Sequence, residues 1–201
     1  MMNIYLLRHG ISVSNEKRIV CGASDYPLSE RGLAQAAAVC AELDKLTFSR
    51  VYCSPLQRAR QTIAHLKQQI AIESVPALVE LDTGEVSHIT VDELYAHSPR
   101  YEYQGLSPDL KYPAGECLND MLGRVIGWFI DEKKKWADGD TILIAGHEGT
   151  VCAILHHLLE LGISHYPTFS VGNCDYVHIR VAADGQTRYR FVSFNDPTLK
   201  A

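Results

Sequence analysis

The sequence has no long apolar segment and no basic leader. No apolar run reaches the ~18 residues that a membrane-spanning helix needs. The first residues pass directly into a strand-like pattern, without the basic stretch and apolar core of a secretory signal. We therefore expect a cytoplasmic protein that does not bind a membrane.

The sequence also lacks an excess of positive charge. It has 19 basic and 24 acidic residues, which give a formal net charge of −5. This balance argues against bulk electrostatic binding of nucleic acid or of an anionic membrane surface. Small anions remain possible ligands, because a local cluster of arginine and histidine can oppose the overall sign.

Closely spaced cysteine pairs, internal repeats and low-complexity tracts are missing as well. The six cysteines are scattered and form no CxxC pair, which is unsuited to a structural metal site or a disulfide framework. We expect free thiols in a reducing cytosol. The cysteines are Cys21, Cys40, Cys53, Cys117, Cys152 and Cys174.

What the sequence does contain is a regular alternation of strand-like and helix-like segments. It predicts one α/β domain over residues 1–201, a three-layer α/β/α sandwich with a mostly parallel mixed sheet. The predicted strands are 4–7, 51–53, a strand end at 77–81, 141–145, 176–181 and 189–194, with an Ala-Asp-Gly turn at 183–185 joining the last two. The predicted helices start near Ser29, cover 55–69, 91–97 and 116–136, and follow residue 149.

Residues 86–113 interrupt this alternation. The segment is rich in aromatic residues, and its only basic side chains besides histidine are Arg100 and Lys111. We predict an insertion over the carboxyl-end edge of the sheet, capping the site that forms there. Its tyrosines either line a substrate pocket or merely pack on the domain, and the sequence leaves both open.

Five polar residues follow predicted strands or begin the next helix. They are Arg8, His9, Arg58, Glu80 and His147. In open α/β sheets, ligands bind outside the carboxyl ends of the strands. Arg58 lies early in a helix, where a cation is disfavoured by the helix dipole, so an anion site explains it better. Arg60 is interpreted as a solvated charge.

These residue types suit phosphoryl transfer, which needs mainly positioning and cationic stabilisation. The forked guanidinium groups of Arg8 and Arg58 match phosphate oxygens, and a second histidine adds a donor if it is protonated. His9 could attack phosphorus through one ring nitrogen while the backbone holds its other N–H. Glu80 would then protonate the leaving alkoxide and later activate water.

Ordered motifs over nearly the whole chain carry a family resemblance. They are Arg8-His9-Gly10 with Asn15, Asp25 to Ser29 with Gly32 and Gln35, Ser54 to Thr62, Leu78 to Glu85, Pro113 to Cys117, and Gly146 to Gly149. Their order and spacing resemble the histidine phosphatase superfamily, also called the phosphoglycerate mutase-like family. The second of the two arginines in Ser54 to Thr62, Arg60, falls outside the motif, which selects Arg58.

The resemblance implies a metal-independent phosphomonoesterase that acts on a small phosphorylated metabolite. It implies that His9 is the phosphorylated nucleophile and Glu80 the proton donor and then the base. It further implies a phosphate pocket, consisting of Arg8, Asn15, Cys21, Gly22, Arg58 and His147. Within the family, the resemblance implies a phosphatase of the bacterial broad-specificity or α-ribazole type. A homodimer is an option that the sequence leaves open.

Two other functions remain as alternatives. A cofactor-dependent phosphoglycerate mutase would need more basic residues than the 86–113 segment offers. A non-catalytic phosphate-binding module would be marked by loss of one of the five polar residues, and all five are present.

The sequence departs from the family pattern at three places. Ile11 replaces an acidic or amide residue, and Val86-Ser87-His88 replaces Trp-Glu-Gly. Glu148 replaces a small residue after the second histidine. A carboxylate there would repel a phosphate if it pointed inward, so we expect Glu148 to point away from the pocket.

Overall fold

The computed structural model describes residues 1–101, 106–182 and 186–193. The strands are β1 (Met2–Arg8), β2 (Arg50–Cys53), β3 (Ile72–Ser74), β4 (Thr141–Gly146), β5 (Tyr176–Val181) and β6 (Thr187–Val192). The helices are α1 (Val13–Glu16), α2 (Glu30–Leu43), α3 (Gln57–Ile63), α4 (Val91–His97), α5 (Leu118–Lys133) and α6 (Glu148–Leu158). Short 3-10 helices cover Pro76–Leu78, Gly84–Val86, Pro99–Tyr101 and Ile163–His165.

The six strands form one mixed sheet in the order β3-β2-β4-β1-β5-β6. The first four of these pair in parallel, and β5 and β6 pair antiparallel with β1 and with each other. The predicted mostly parallel mixed sheet is therefore confirmed. The turn predicted at 183–185 lies outside the described residues.

The sheet separates two hydrophobic cores. In β1, Ile4 and Leu6 face one core, whereas Tyr5 and Leu7 face the other. This alternation arises because successive side chains of a strand point to opposite faces. Helices α5 and α6 contact each other on the first side, and α2 and α3 on the second. The predicted three-layer α/β/α arrangement is confirmed.

Helix α2 begins where predicted, but it buries a different stripe. The sequence pattern places Leu33 and Ala37 on the buried side, yet both are exposed. The side chains that face the core belong to Ala36, Val39, Cys40 and Leu43. Gly32, which is buried on the same side of the helix, packs closely against the backbone of Ile11.

Two helices are shorter in the structure than the sequence predicts. The helix predicted at 55–69 covers Gln57–Ile63, with Leu56 as its N-cap residue. Ser54, directly after the preceding strand, does not cap this helix. Its Oγ forms a hydrogen bond with Nε2 of His147 at 2.8 Å. The helix predicted at 116–136 covers Leu118–Lys133, with Cys117 as its N-cap residue.

The strand end predicted at 77–81 is wrong. The strand lies earlier, at Ile72–Ser74, and the chain then forms a 3-10 turn at Pro76–Leu78. Pro76 at the start of this turn cannot donate a ladder hydrogen bond, which ends the strand before it.

The segment at 86–113 contains α4, which matches the predicted helix at 91–97. Its N-terminal part pairs with residues 18–20, since Val20 N donates to Ile89 O at 2.9 Å and His88 N donates to Val20 O at 2.8 Å. Residues 102–105, which include Tyr103, lie outside the described residues. No helix in the described ranges is long and apolar enough to cross a membrane.

The contact between Gly32 and Ile11 gives a stability prediction with an internal control. A Cβ added at Gly32 would lie 1.9 Å from the carbonyl oxygen of Ile11, whereas one added at Gly123 in α5 would meet nothing within 4 Å. Urea unfolding should show that Gly32→Ala lowers the free energy of unfolding by about 1–3 kcal/mol. Gly123→Ala should raise it by about 0.5–1 kcal/mol, and equal effects would contradict this packing.

Candidate active site

A cavity of about 280 Å³ opens at the carboxyl ends of β1 and β4. His9 directly follows β1, and His147 directly follows β4. The described lining residues are Arg8, His9, Asn15, Ile19, Val20, Cys21, Gly22, Arg58, Glu80, Leu81, Thr83, Val91, Leu94, Tyr95, Tyr101, Tyr112, Glu148 and Gly149. Of the eight residues predicted for the site, all but His147 are among them.

The turn that carries His9 is held by neighbouring helices. Gly10 N donates to the Thr62 hydroxyl at 2.9 Å, and Ile11 N donates to the Gln35 side chain at 3.0 Å. A Cβ on Gly10 would lie 2.9 Å from the carbonyl oxygen of Gly32, so a larger residue would not fit without movement. These contacts give a physical role to the glutamine, threonine and glycines of the sequence motifs.

The imidazole of His9 is buried, and its tautomer follows from one contact. Its Nδ1 lies 2.7 Å from the carbonyl oxygen of Gly10. A carbonyl can only accept, so Nδ1 carries the proton and Nε2 is the basic nitrogen. Burial, and then the guanidinium groups of Arg58 and Arg8, lower the pKa of His9 well below its ordinary value of 6.5. The ring is therefore neutral near pH 7.

Arg58 is fully buried, and its guanidinium lies against backbone carbonyls. Nη1 donates to Ser24 O and Nη2 to Gly22 O, each at 2.7 Å. Each terminal nitrogen also carries a second N–H, and the side chain lines the cavity. Arg60 is exposed, in agreement with its interpretation as a solvated charge.

Arg8 offers a donor that the described protein leaves unused. Its Nη1 donates to Val171 O, but its Nε–H is buried and has no hydrogen-bond partner among the described residues. A buried donor without a partner is costly. An anion in the cavity would supply the missing acceptor.

His147 is fully buried against Arg58. Arg58 Nε donates to Nδ1 of His147 at 3.2 Å, so the ring proton lies on Nε2 and is donated to Ser54 Oγ at 2.8 Å. Burial, and then the charge of Arg58, lower the pKa of His147 well below 6.5. In this geometry the ring is neutral and orients Arg58, which differs from the protonated donor considered from the sequence. The ring centroids of His9 and His147 are 5.1 Å apart.

The carboxylate of Glu80 lies at the N-terminus of α6. Its Oε2 accepts from Gly149 N at 3.0 Å, and its Oε1 accepts from Leu81 N at 2.9 Å. A Cβ on Gly149 would lie 2.3 Å from Glu80 Oε1, so glycine at this position leaves room for the carboxylate.

Arg124 and Glu116 hold the segment that carries Glu80, and the sequence analysis did not assign them a role. Arg124 donates to the carbonyl oxygens of Ala77, Val79 and Glu80 at 2.6–3.1 Å. It also forms a two-point ion pair with Glu116, whose Oε1 accepts from Asp82 N at 2.9 Å. The Pro113 to Cys117 motif signalled this position, but not its partner.

The remaining predicted residues lie at the rim. Asn15 completes the capping box of α1, because its Oδ1 accepts from the backbone N–H of the N-cap residue Ser12 at 3.0 Å. Its amide nitrogen is therefore the group that can donate to an anion. Cys21 and Gly22 line the cavity, and Gly22 contributes its carbonyl to Arg58.

The expectation that Glu148 points away from the pocket is wrong. Its side chain lines the cavity, and its Oε2 lies 2.8 Å from Arg8 Nη1. Ser170 Oγ donates to its Oε1 at 3.3 Å. The attraction of a nearby, partly buried guanidinium outweighs the tendency of a carboxylate to remain in water.

The sequence matches one protein-family model over nearly its whole length. The model of the histidine phosphatase superfamily (branch 1) matches residues 4–196. The chain belongs to this superfamily. The resemblance seen in the sequence is thereby confirmed.

Similar curated proteins include both phosphatases and mutases. Phosphoserine phosphatase 1 of Hydrogenobacter thermophilus is 28% identical, over 88% of this chain and 85% of that protein. A 2,3-bisphosphoglycerate-dependent phosphoglycerate mutase of Xanthobacter autotrophicus is 29% identical, over 79% of this chain and 81% of that protein. A 6-phosphofructo-2-kinase/fructose-2,6-bisphosphatase of Caenorhabditis elegans is 28% identical over 84% of this chain. The matched region spans about a third (36%) of that longer protein.

Solved structures share the fold. The α-ribazole phosphatase of Shigella flexneri superposes with a TM-score of 0.82 at 23% identity, covering 95% of this chain and 96% of that one. A phosphoserine phosphatase of Entamoeba histolytica, in complex with 3-phosphoglyceric acid, gives 0.81 at 22% identity, covering 97% and 98%.

The two buried neutral histidines predict that stability depends on pH. Below pH 6.5 a histidine of the unfolded chain binds a proton, whereas His9 and His147 do not until a much lower pH. The free energy of unfolding should therefore fall as pH drops from 7.5 to 5.5, by up to about 1.4 kcal/mol per pH unit for each histidine.

Urea unfolding at several pH values tests this prediction. His9→Asn keeps a donor for the carbonyl of Gly10 but cannot titrate, so it should reduce the slope. The exposed His97 is the matched control, and His97→Asn should leave the slope unchanged. A wild-type stability that does not fall below pH 6.5 would contradict the neutral, buried state of both rings.

Proposed function

We propose that this protein is a metal-independent phosphomonoesterase that hydrolyses a small phosphorylated metabolite through a phosphohistidine at Nε2 of His9. The observation that carries the proposal is the contact between His9 Nδ1 and the carbonyl of Gly10. It leaves Nε2 as the basic nitrogen of a ring that lines the cavity beside two arginines. We place the enzyme in the cytoplasm, in keeping with its six free thiols.

In the first step, the phosphoryl oxygens accept hydrogen bonds from Arg8 Nε–H and from the second N–H groups of Arg58. Nε2 of His9 attacks phosphorus, and the bond from phosphorus to the ester oxygen breaks. The protonated carboxyl of Glu80 transfers its proton to the leaving oxygen, so the alcohol departs neutral. The arginines stabilise the charge on the equatorial oxygens.

In the second step, the carboxylate of Glu80 accepts a proton from water while the water oxygen attacks phosphorus. The P–N bond breaks, inorganic phosphate leaves, and His9 returns to its neutral form. Glu80 ends the cycle protonated, ready for the next substrate. The same carboxylate therefore acts as acid and then as base.

His147 and Arg124 position the residues that take part in the reaction. His147 accepts from Arg58 Nε and orients the guanidinium, and a direct contact of His147 with phosphate remains a prediction from the family resemblance. Arg124 holds the backbone on both sides of Glu80 through three carbonyl oxygens.

A cofactor-dependent phosphoglycerate mutase is the second candidate, because similar proteins carry that name. It is disfavoured by the contacts of the two basic residues in the described part of 86–113. Arg100 lies over the ring of Tyr101 at 4.8 Å, and Lys111 lies 3.6 Å from Asp120. Neither lines the cavity, so neither is placed to hold a second phosphate.

The first experiment measures phosphate release from a panel of small phosphomonoesters in the presence of a chelator. His9→Asn should lower turnover by more than about 1,000-fold and abolish acid-labile labelling of the protein, because the nucleophile is lost. Arg58→Met should lower kcat/KM by about 100-fold or more, whereas its exposed neighbour provides the control Arg60→Met, with little change.

Some outcomes would contradict the proposal. Full activity of His9→Asn would exclude the phosphohistidine, and loss of wild-type activity in chelator would indicate metal chemistry. The panel includes 3-phosphoglycerate with 2,3-bisphosphoglycerate, and isomerisation without net phosphate release would establish the mutase.

The role of Glu80 predicts a dependence on the leaving group. Glu80→Gln cannot donate a proton, so turnover of alkyl phosphates should fall by about 100-fold or more. Phosphorylation by 4-nitrophenyl phosphate, whose leaving group needs no proton, should fall much less. Burst kinetics separates this step from hydrolysis of the phosphohistidine, and an equal loss in the burst rates would argue against Glu80 as the acid.

A further inference from the structure

We propose that the alcohol part of the substrate is apolar or aromatic and carries no anionic group, and that Glu148 enforces this selection. The inference rests on the proposed function and names the substrate class of the same site. It follows from the wall of the cavity and from its charges.

The wall beyond the phosphate-binding arginines is largely apolar. Its side chains are Ile19, Val20, Leu81, Val91, Leu94, Tyr95, Tyr101 and Tyr112. Five of these belong to the 86–113 segment, so this insertion lines the pocket as well as packing on the domain. Burial of an apolar leaving group against this wall would be favoured, by about 25 cal/mol per Å².

Two tyrosines of this wall are buried and contact each other. Tyr101 and Tyr112 stack with centroids 5.0 Å apart. The hydroxyl of Tyr112 donates to the carbonyl oxygen of Tyr101 at 2.9 Å. Both rings are buried, so the aromatic surface that a ligand can reach belongs mainly to Tyr95, which lines the cavity and is 44% exposed. An aromatic leaving group can pack against this ring in a stacked or edge-on geometry.

The charges of the described lining residues suffice for one phosphoryl group only. The cations are Arg8 and Arg58, and the anions are Glu80 and Glu148. Arg58 is oriented by carbonyl oxygens, and Arg8 is already paired with Glu148. A second anionic group on the substrate would lose hydration in the cavity without meeting a cation among these residues.

Glu148 adds a repulsive element to this shortage of cations. It is the first residue of α6, it lines the cavity, and its carboxylate is fixed by Arg8 and Ser170. A substrate carboxylate inside the same cavity would face a like charge at short range, on a side chain that is only 28% exposed. Specificity often depends on such a repulsive group as well as on attractive contacts.

The test compares substrates that differ by one carboxylate. The pairs are phenyl phosphate with 4-carboxyphenyl phosphate, and O-phosphoethanolamine with O-phosphoserine. For the wild-type protein, kcat/KM should be higher for the member without the carboxylate by about tenfold or more in each pair. Phenyl phosphate should be the best of the four.

Glu148→Gln keeps the shape of the side chain and removes its charge. It should reduce the preference within each pair by about tenfold, whatever it does to the absolute rates through Arg8. The matched control is Glu30→Gln, since Glu30 is the exposed first residue of α2 and has the same relation to a helix dipole. The control should leave both preferences unchanged.

A second variant tests the wall without touching the charges. Tyr95→Ser should lower kcat/KM for phenyl phosphate more than for O-phosphoethanolamine, because Tyr95 lines the cavity and remains 44% exposed. This variant also serves if Glu148→Gln does not fold.

The outcomes separate this inference from the proposed function. Phosphate release that favours the carboxylated members, or preferences that Glu148→Gln leaves unmoved, would overturn the inference and retain the phosphatase. Equal losses for both substrates in Tyr95→Ser would overturn the apolar wall as the determinant. No release from any of the four esters, with no labelling of His9, would overturn the inference and the phosphatase together.

Discussion

The buried guanidinium of Arg58 is the constraint on which the rest of the site depends. A buried cation is costly unless its N–H groups are satisfied, and here three of them are taken by Gly22 O, Ser24 O and His147 Nδ1. These contacts join α3, the loop before α2 and the end of β4. Burial, and then the charge of Arg58, lower the pKa of both buried histidines, which keeps His9 unprotonated.

Arg124 likewise donates to backbone carbonyl groups, on the side of the cavity where Glu80 lies. Arg124 binds the carbonyls of Ala77, Val79 and Glu80, a stretch that has no strand partner to satisfy them. Guanidinium groups thus satisfy backbone carbonyls in irregular segments, where a helix or a sheet would otherwise supply the hydrogen-bond donors. This allows the loops around the cavity to hold groups within hydrogen-bond distance, as catalysis by positioning requires.

The charges of the cavity are nearly balanced, which separates this protein from a general anion binder. In the proposed function Arg8 and Arg58 bind one phosphoryl group, while Glu148, 2.8 Å from Arg8, reduces the field that Arg8 offers to any other anion. Under this proposal one cavity combines cations for a phosphoryl group with an apolar wall, and Glu148 adds the discrimination by charge.

The sequence by itself determined the α/β class, the mostly parallel mixed sheet and the polar residues that meet at the sheet edge. Apolar runs specify the buried strands β1 and β4, and His9 and His147 directly follow them, whereas the strand predicted before Glu80 is wrong and the family motif alone selects this residue. Only the tertiary structure decided the buried face of α2, the tautomer of His147 and the inward orientation of Glu148. Each of these depends on a contact between residues distant in the chain, such as the pair of Glu148 with Arg8, and local patterns carry no record of such pairs.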